Sequence, residues 1–134
     1  MILLILVGIL GFGSQIKRHC AKLMCSEGLK IVGIKFLDTI GNPVVVSDFK
    51  AFNLHTKESM IIGSVTDTVY SKGDYTIASD LHIRKVSSRG IDTIVVSGRH
   101  PVTQVIKTAR VVVGRDDCDC HVTKLSGPEE IVFN

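Results

Sequence analysis

The chain has 134 residues, 45% of them hydrophobic, 5% aromatic and none of them tryptophan, which suits one domain with a real core. The net charge is only +3, and its lysines and arginines are scattered. The densest group is Lys17-Arg18-His19, and no basic stripe interleaved with aromatics marks a nucleic-acid surface. Valine and isoleucine dominate the apolar residues; β-branched side chains lose freedom in helices and fit pleated sheets, so the composition leans towards all-β.

The first element is the apolar run over residues 2–12 of "MILLILVGILGFGSQIKRHC". A bilayer span needs about 20 residues, so this run is too short and fits the apolar region of a secretory signal. Gly11 and Gly13 supply small residues ahead of Ser14, which places a signal peptide at 1–13. The usual positive start is missing, and the competing reading is a buried first strand. Lys17, Arg18 and His19 stand where a lipid-anchored Cys20 needs small and apolar neighbours. Residues 14–28 are then an N-terminal segment carrying Cys20 and Cys25, and 29–134 the folded domain.

Strand patterns follow. In "LKIVGIKFLD" (29–38), Val32, Ile34 and Phe36 share one face because strand side chains alternate. "GNP" (41–43) makes a turn. "VVVSDFKAFNLHT" (44–56) is a second strand interrupted by a bulge, and "SMIIGSVT" (59–66) a third. "SDLHIRKVSSRG" (79–90) has poor apolar spacing and reads as a loop with one helical turn, which Ser79 or Asp80 caps. "SKGDYTIASD" (71–80) turns at Lys72-Gly73 and then sets Tyr75 and Ile77 on one side. "IDTIVVSG" (91–98) and "TQVIKTARVVVG" (103–114) come next, the latter with Val105, Ala109, Val111 and Val113 on one face. "CDCHVTKL" (118–125) is the last full strand, followed by a Gly127-Pro128 turn and a short "EIVFN" end. About seven short strands with frequent turns indicate a β-sandwich or barrel; the sandwich is the expectation taken forward, with Val32, Ile34, Phe36, Tyr75, Ile77, Val111 and Val113 inward.

Two of these patterns carry a resemblance. "VGIKFLDTIGNPVVVSDFKAF", with Asp38, Gly41, Pro43 and Val44 in a D-x-x-G-x-P-V turn, resembles the opening of carboxypeptidase-regulatory-like, transthyretin-like domains. "KGDYTIASD", with Gly73, Tyr75 and Ile77, resembles their later G-x-Y strand. The tail "DDCDCHVTKLSGPEEI" looks like that of small exported bacterial proteins with this sandwich and no established activity. The resemblance covers 29–134. It implies an Ig-like or transthyretin-like Greek-key sandwich and an accessory rather than catalytic role; a shared fold does not supply chemistry.

The cysteines carry the strongest local signal. Structural zinc sites favour C-x₂₋₄-C pairs, which "CDCH" is not. If 118–125 is a strand, Cys118, Cys120 and Val122 face one way and His121 the other. A redox pair needs C-x-x-C at a helix N-terminus, and a bridge between Cys118 and Cys120 is strained. Long-range disulfides joining Cys20 and Cys25 to Cys118 and Cys120, in unspecified order, are the leading expectation. The alternative is a periplasmic zinc or copper protein that binds metal through Cys118, Cys120 and His121, completed by Cys20, Cys25 or His19.

Other polar residues carry less. His19, His55, His82, His100 and His121 are scattered and read as solvated. Asp116, Asp117 and Asp119 lack the calcium-loop pattern and read as a hairpin turn. Glu129 and Glu130, adjacent on a strand, face opposite ways. No G-x-S-x-G, P-loop, H-E-x-x-H or G-x-G-x-x-G is present. The expectation is a non-enzymatic, exported structural or interaction module without a cofactor. It would sit in the periplasm, at the cell surface or outside the cell, bind a protein or cell-surface partner but no nucleic acid, and have no membrane span in its mature form.

Overall fold

The computed structural model describes residues 20, 25, 28–62, 65–87 and 90–134; the expected signal peptide at 1–13 lies outside them. Eight strands form two four-stranded sheets that pack as a β-sandwich. They are β1 (Ile31–Leu37), β2 (Ser47–Asn53), β3 (Val69–Ser71), β4 (Asp74–Ser79), β5 (Ile91–Arg99), β6 (Ile106–Arg115), β7 (Val122–Ser126) and β8 (Glu130–Val132). One sheet runs β3-β4-β1-β8 and the other β2-β5-β6-β7. All pairings are antiparallel except β1 with β8.

The alternation read along the chain is the alternation of the core. Val32, Ile34, Phe36, Tyr75, Ile77, Val111 and Val113 are all buried, and each such apolar side chain contributes about 1.5–3 kcal/mol by leaving water. The β5–β6 ladder runs unbroken from Ile91–Gly114 to Arg99–Ile106, and inserts Ile94, Val96, Val111 and Val113 opposite β1 and β4. The bulge expected in the second strand falls between Ser47 and Lys50, where Asp48 has φ of 51°.

The two motifs that carried the resemblance meet. Gly73 has φ of +79°, and a Cβ there would stand 2.9 Å from Pro43 Cβ and 3.0 Å from the Phe36 carbonyl oxygen. Only glycine fits that conformation and that contact. Phe36 N–H donates to the Gly73 carbonyl at 2.9 Å and Val44 N–H to the Phe36 carbonyl at 2.8 Å. Tyr75 reaches across the core so that its hydroxyl accepts from Val46 N–H at 2.9 Å. Around it Phe36, Phe49, Tyr75 and Phe133 stack or meet edge to face, with Phe49 and Tyr75 centroids 4.3 Å apart.

Three segments depart from the sequence reading. The described residues of 59–66 form no strand beyond an isolated bridge from Ser59 to Phe52. Met60 N–H bonds to the Ala51 carbonyl at 2.9 Å, but the Met60 carbonyl is taken by the His82 side chain, so the ladder stops and a helical turn (α1, Val65–Thr68) follows. Val105 lies outside β6 and is 40% exposed; its carbonyl closes the hairpin loop by accepting from His100 N–H at 2.8 Å. The third is the cysteine stretch. β7 starts only at Val122, so Cys118 and Cys120 sit in a turn and the strand-parity argument for them does not apply. Residues 79–90 do contain the expected helical turn, a 3₁₀ helix over Asp80–Lys85 with Ser79 at its N-cap.

Candidate functional site

The turn between β6 and β7 is built by its own acidic residues. Asp116 N–H donates to the His121 carbonyl at 2.9 Å and Asp119 N–H to the Asp116 carbonyl at 3.0 Å. The Asp116 side chain accepts from Cys120 N–H at 2.7 Å. Asp119 adopts φ of 55°, a conformation that aspartate tolerates better than most residues. "RDD" is therefore the turn signal it resembled.

Both expected disulfides lie at this turn. Cys20 is bonded to Cys118 and Cys25 to Cys120, with Cα–Cα distances of 5.2 and 5.5 Å and sequence separations of 98 and 95. Two stretches at opposite ends of the chain are thus clasped twice. Cys25 is exposed and the other three cysteines are half-buried. With no free cysteine remaining, Cys118 and Cys120 offer no thiolate in this state to the ligand set Cys118, Cys120 and His121. Among the described residues no group of three or more His, Cys, Asp or Glu side chains is arranged to hold a metal ion.

His121 does not stand on a solvated strand face. Its side chain is 12% exposed and its Nδ1 lies 2.7 Å from Asp80 Oδ2. Asp80 is the hub of this end of the molecule. Its carboxylate also accepts from Lys30 N–H at 2.8 Å and Val122 N–H at 2.9 Å, and its own N–H donates to the Lys30 carbonyl at 3.1 Å. One carboxylate therefore ties the segment before β1, the 3₁₀ helix and the start of β7. Burial opposes its charge, but the bonds from Lys30, His121 and Val122 outweigh burial and hold its pKa below the usual 3.8.

Beside the hub lies a second polar set, centred on His82, which the sequence pattern reads as solvated. His82 is 2% exposed. Its Nδ1 accepts from Ser79 N–H at 2.9 Å and lies 3.0 Å from Ser79 Oγ. Its Nε2 is 2.5 Å from the Met60 carbonyl oxygen. A carbonyl only accepts, so the proton is on Nε2 and the ring is neutral. Burial, chiefly, lowers its pKa from 6.5, and the charge of Lys85 adds to the lowering. Asn53, fully buried, donates to Asp92 Oδ2 at 2.7 Å and the Lys85 carbonyl at 2.9 Å, and Asp92 accepts from Ser87 N–H at 2.6 Å. Ser79 and His82 are both buried at the edge of a shallow depression. The imidazole takes the Ser79 N–H on one nitrogen and the Met60 carbonyl on the other, so the pair fastens the start of the 3₁₀ helix to Met60. The Ser79 capping pattern was the one sequence signal here; Asn53 and Asp92 gave none.

The outer face of the β3-β4-β1-β8 sheet carries an open groove of about 450 Å³. Gly33, on the central strand, leaves its floor without a side chain between Ile31 and Lys35. Leu29, Ile31 and Tyr70 line one part, exposed by 54, 46 and 80%; Asp74, Glu129 and Glu130 line another, with Lys35 Nζ 3.4 Å from Asp74. The apolar part continues into a neighbouring depression with Ile62 and Leu81. Glu129 and Glu130 border this groove, and Glu129 is bonded to Lys124.

Among the described residues no helix is long and apolar enough to cross a membrane. Compared with protein-family models, with curated proteins and with solved structures, the chain matches none.

Proposed function

We propose that this chain is a non-enzymatic β-sandwich module of an oxidising compartment, secreted, periplasmic or cell-surface, that serves a structural or interaction role. The observation that carries this reading is the pair of disulfides, Cys20–Cys118 and Cys25–Cys120. Such bonds persist outside the reducing cytosol, where small domains use them to supplement a limited core. The short apolar run at 2–12 supports export, and the sequence resemblance to carboxypeptidase-regulatory-like, transthyretin-like domains supports an accessory role.

The interaction face in this reading is the groove over Gly33. Its apolar part next to Asp74, Glu129 and Glu130 suits an extended protein segment that carries apolar residues beside a basic one.

Two measurements test the proposal. Thiol alkylation and N-terminal sequencing of the protein taken directly from its producing cell should find no free thiol and a start near Ser14; four alkylated thiols on an uncleaved chain would overturn it. Amide shifts on titration with a short leucine–arginine peptide should concentrate at Ile31, Tyr70, Thr76 and Glu130. Shifts spread evenly over the surface would remove the groove from the proposal.

A further inference from the structure

We propose that the same four cysteines form a second, reduced state of the clasp: a tetrathiolate zinc site made by Cys20, Cys25, Cys118 and Cys120, with His121 outside it. This goes beyond the disulfide-stapled module, and its failure leaves that reading standing.

The two disulfides do not join four separate places but the same two short stretches. Cys118 and Cys120 are two residues apart, so their Cα atoms are within about 7 Å of each other. Each faces its partner at a Cα–Cα distance of 5.2 or 5.5 Å. Opening both bonds therefore leaves four thiols in one small volume. Zinc binds thiolate at about 2.3 Å in a tetrahedron, which sets sulfurs roughly 3.8 Å apart. Each bonded pair has to spread by about 2 Å, and the two pairs have to draw together, at four positions none of which lies in a strand.

The spacing, at first an objection, agrees with this. Cys20 and Cys25 form C-x₄-C, inside the range that structural zinc sites use. C-x-C is too tight on a straight strand, but Asp119 turns the backbone left-handed between Cys118 and Cys120, so strand geometry does not dictate the directions of these side chains. Asp116 lies against the pair, its side chain accepting from Cys120 N–H at 2.7 Å, and its negative charge favours a cation there. The four cysteines complete a tetrahedral set without His121, whose Nδ1 is bonded to Asp80 at 2.7 Å as part of the hub.

The chemistry balances. A dithiol reductant gives two electrons and two protons to each disulfide and becomes a disulfide itself, by attack of its thiolate and release of the protein thiols. Zinc then displaces the protons of the four thiols and bonds to four sulfurs. In reverse, two equivalents of a disulfide oxidant exchange with the four thiolates; each is reduced to a dithiol, taking two protons from water, while a protein disulfide forms and the zinc is released. In both states the N-terminal segment stays fastened to the β6–β7 turn.

The test uses the purified full chain, oxidised or reduced with a trialkylphosphine, which does not compete for metal as a dithiol would. After Zn²⁺ is added and excess removed, elemental analysis should find one zinc per reduced chain and none per oxidised chain. Co²⁺ in its place should give the intense ligand-field and sulfur-to-cobalt charge-transfer bands of a tetrahedral tetrathiolate. Cys25→Ser and Cys118→Ser should each lose those bands, and His121→Ala should keep them. Reduced protein that loses its native circular dichroism without metal and regains it with zinc also supports the site. Equal zinc in oxidised and reduced chains, none in either, or Co²⁺ bands that vanish in His121→Ala but survive in Cys25→Ser would overturn it.

Discussion

The two ends of the sandwich are held by different physics. At the end where Leu37 leads to the 38–46 turn, cohesion is apolar: Phe36, Phe49, Tyr75 and Phe133 pack as a ring cluster, and Gly73 fits against Pro43. At the other end it is polar and covalent: two disulfides, the Asp80 hub, the neutral His82 and the Asn53–Asp92 pair. Apolar packing is non-directional and tolerates small shifts, whereas a buried carboxylate or imidazole requires particular partners in place. The polar end also has the job that needs such direction, since it secures a segment about 95 residues away along the chain.

The largest test removes the covalent part. Cys118→Ser together with Cys120→Ser should lower unfolding free energy by about 4–5 kcal/mol in the chain-entropy account, mostly from the first closure lost because both bridges close nearly the same loop. Urea unfolding of oxidised protein measures it. Amide exchange should accelerate at residues 28–30 and 116–122 while Phe36 and Tyr75 stay protected; uniform acceleration would mean that the two ends are a single cooperative unit. The counterpart at the apolar end is Phe36→Ala, expected to cost about 3–5 kcal/mol because its buried ring touches three others, with exchange rising at both sheets.

Asp80→Ala removes the carboxylate that accepts from the Lys30 and Val122 N–H groups and pairs with His121 Nδ1, a loss of about 2 kcal/mol in thermal or urea unfolding. His121→Ala should then cost more than an ordinary surface change but less than Asp80→Ala. If the two cost the same and a double variant adds nothing, His121 is the whole value of the hub.

Acid separates the groups further. The folded pKa of His82 is below its unfolded 6.5, so the unfolded chain binds more protons below that pH. Its contribution is complete above about pH 6.5 and falls by at most about 1.4 kcal/mol per unit as pH drops towards the native value. Asp80, also depressed, contributes fully above 3.8 and loses that contribution as pH falls further. Stability measured from pH 8 to 3 should therefore show two windows, and His82→Gln should flatten only the upper one. The smallest effect belongs to the apolar end's solvent side: Val102→Ser, at a position 81% exposed, should stay within about 0.5 kcal/mol.

The chain by itself determined the apolar end. Period-two alternation selects which face of a strand leaves water, so Val32, Ile34, Phe36, Tyr75 and Ile77 were legible as core, and the turn residues Gly41, Pro43 and Gly73 were legible because their backbone demands are local. It also indicated that Cys20 and Cys25 bond to Cys118 and Cys120, since no local geometry suits them, but the order, Cys20–Cys118 and Cys25–Cys120, came from the structure. Tertiary structure alone decided the rest. Residues 59–66 have strand composition, but His82 takes the Met60 carbonyl from a distant loop and ends the ladder. The residues 118–121 alternate like a strand, yet Asp116 bends them into a turn through bonds to Cys120 and His121. His82, Asn53 and Asp92 have the composition of surface residues, and only the arrival of partners from other elements makes their burial affordable. Hydrophobic patterning acts residue by residue and is written along the chain. Satisfaction of a buried polar group depends on which group from elsewhere comes within about 3 Å, and that is settled when the two sheets close.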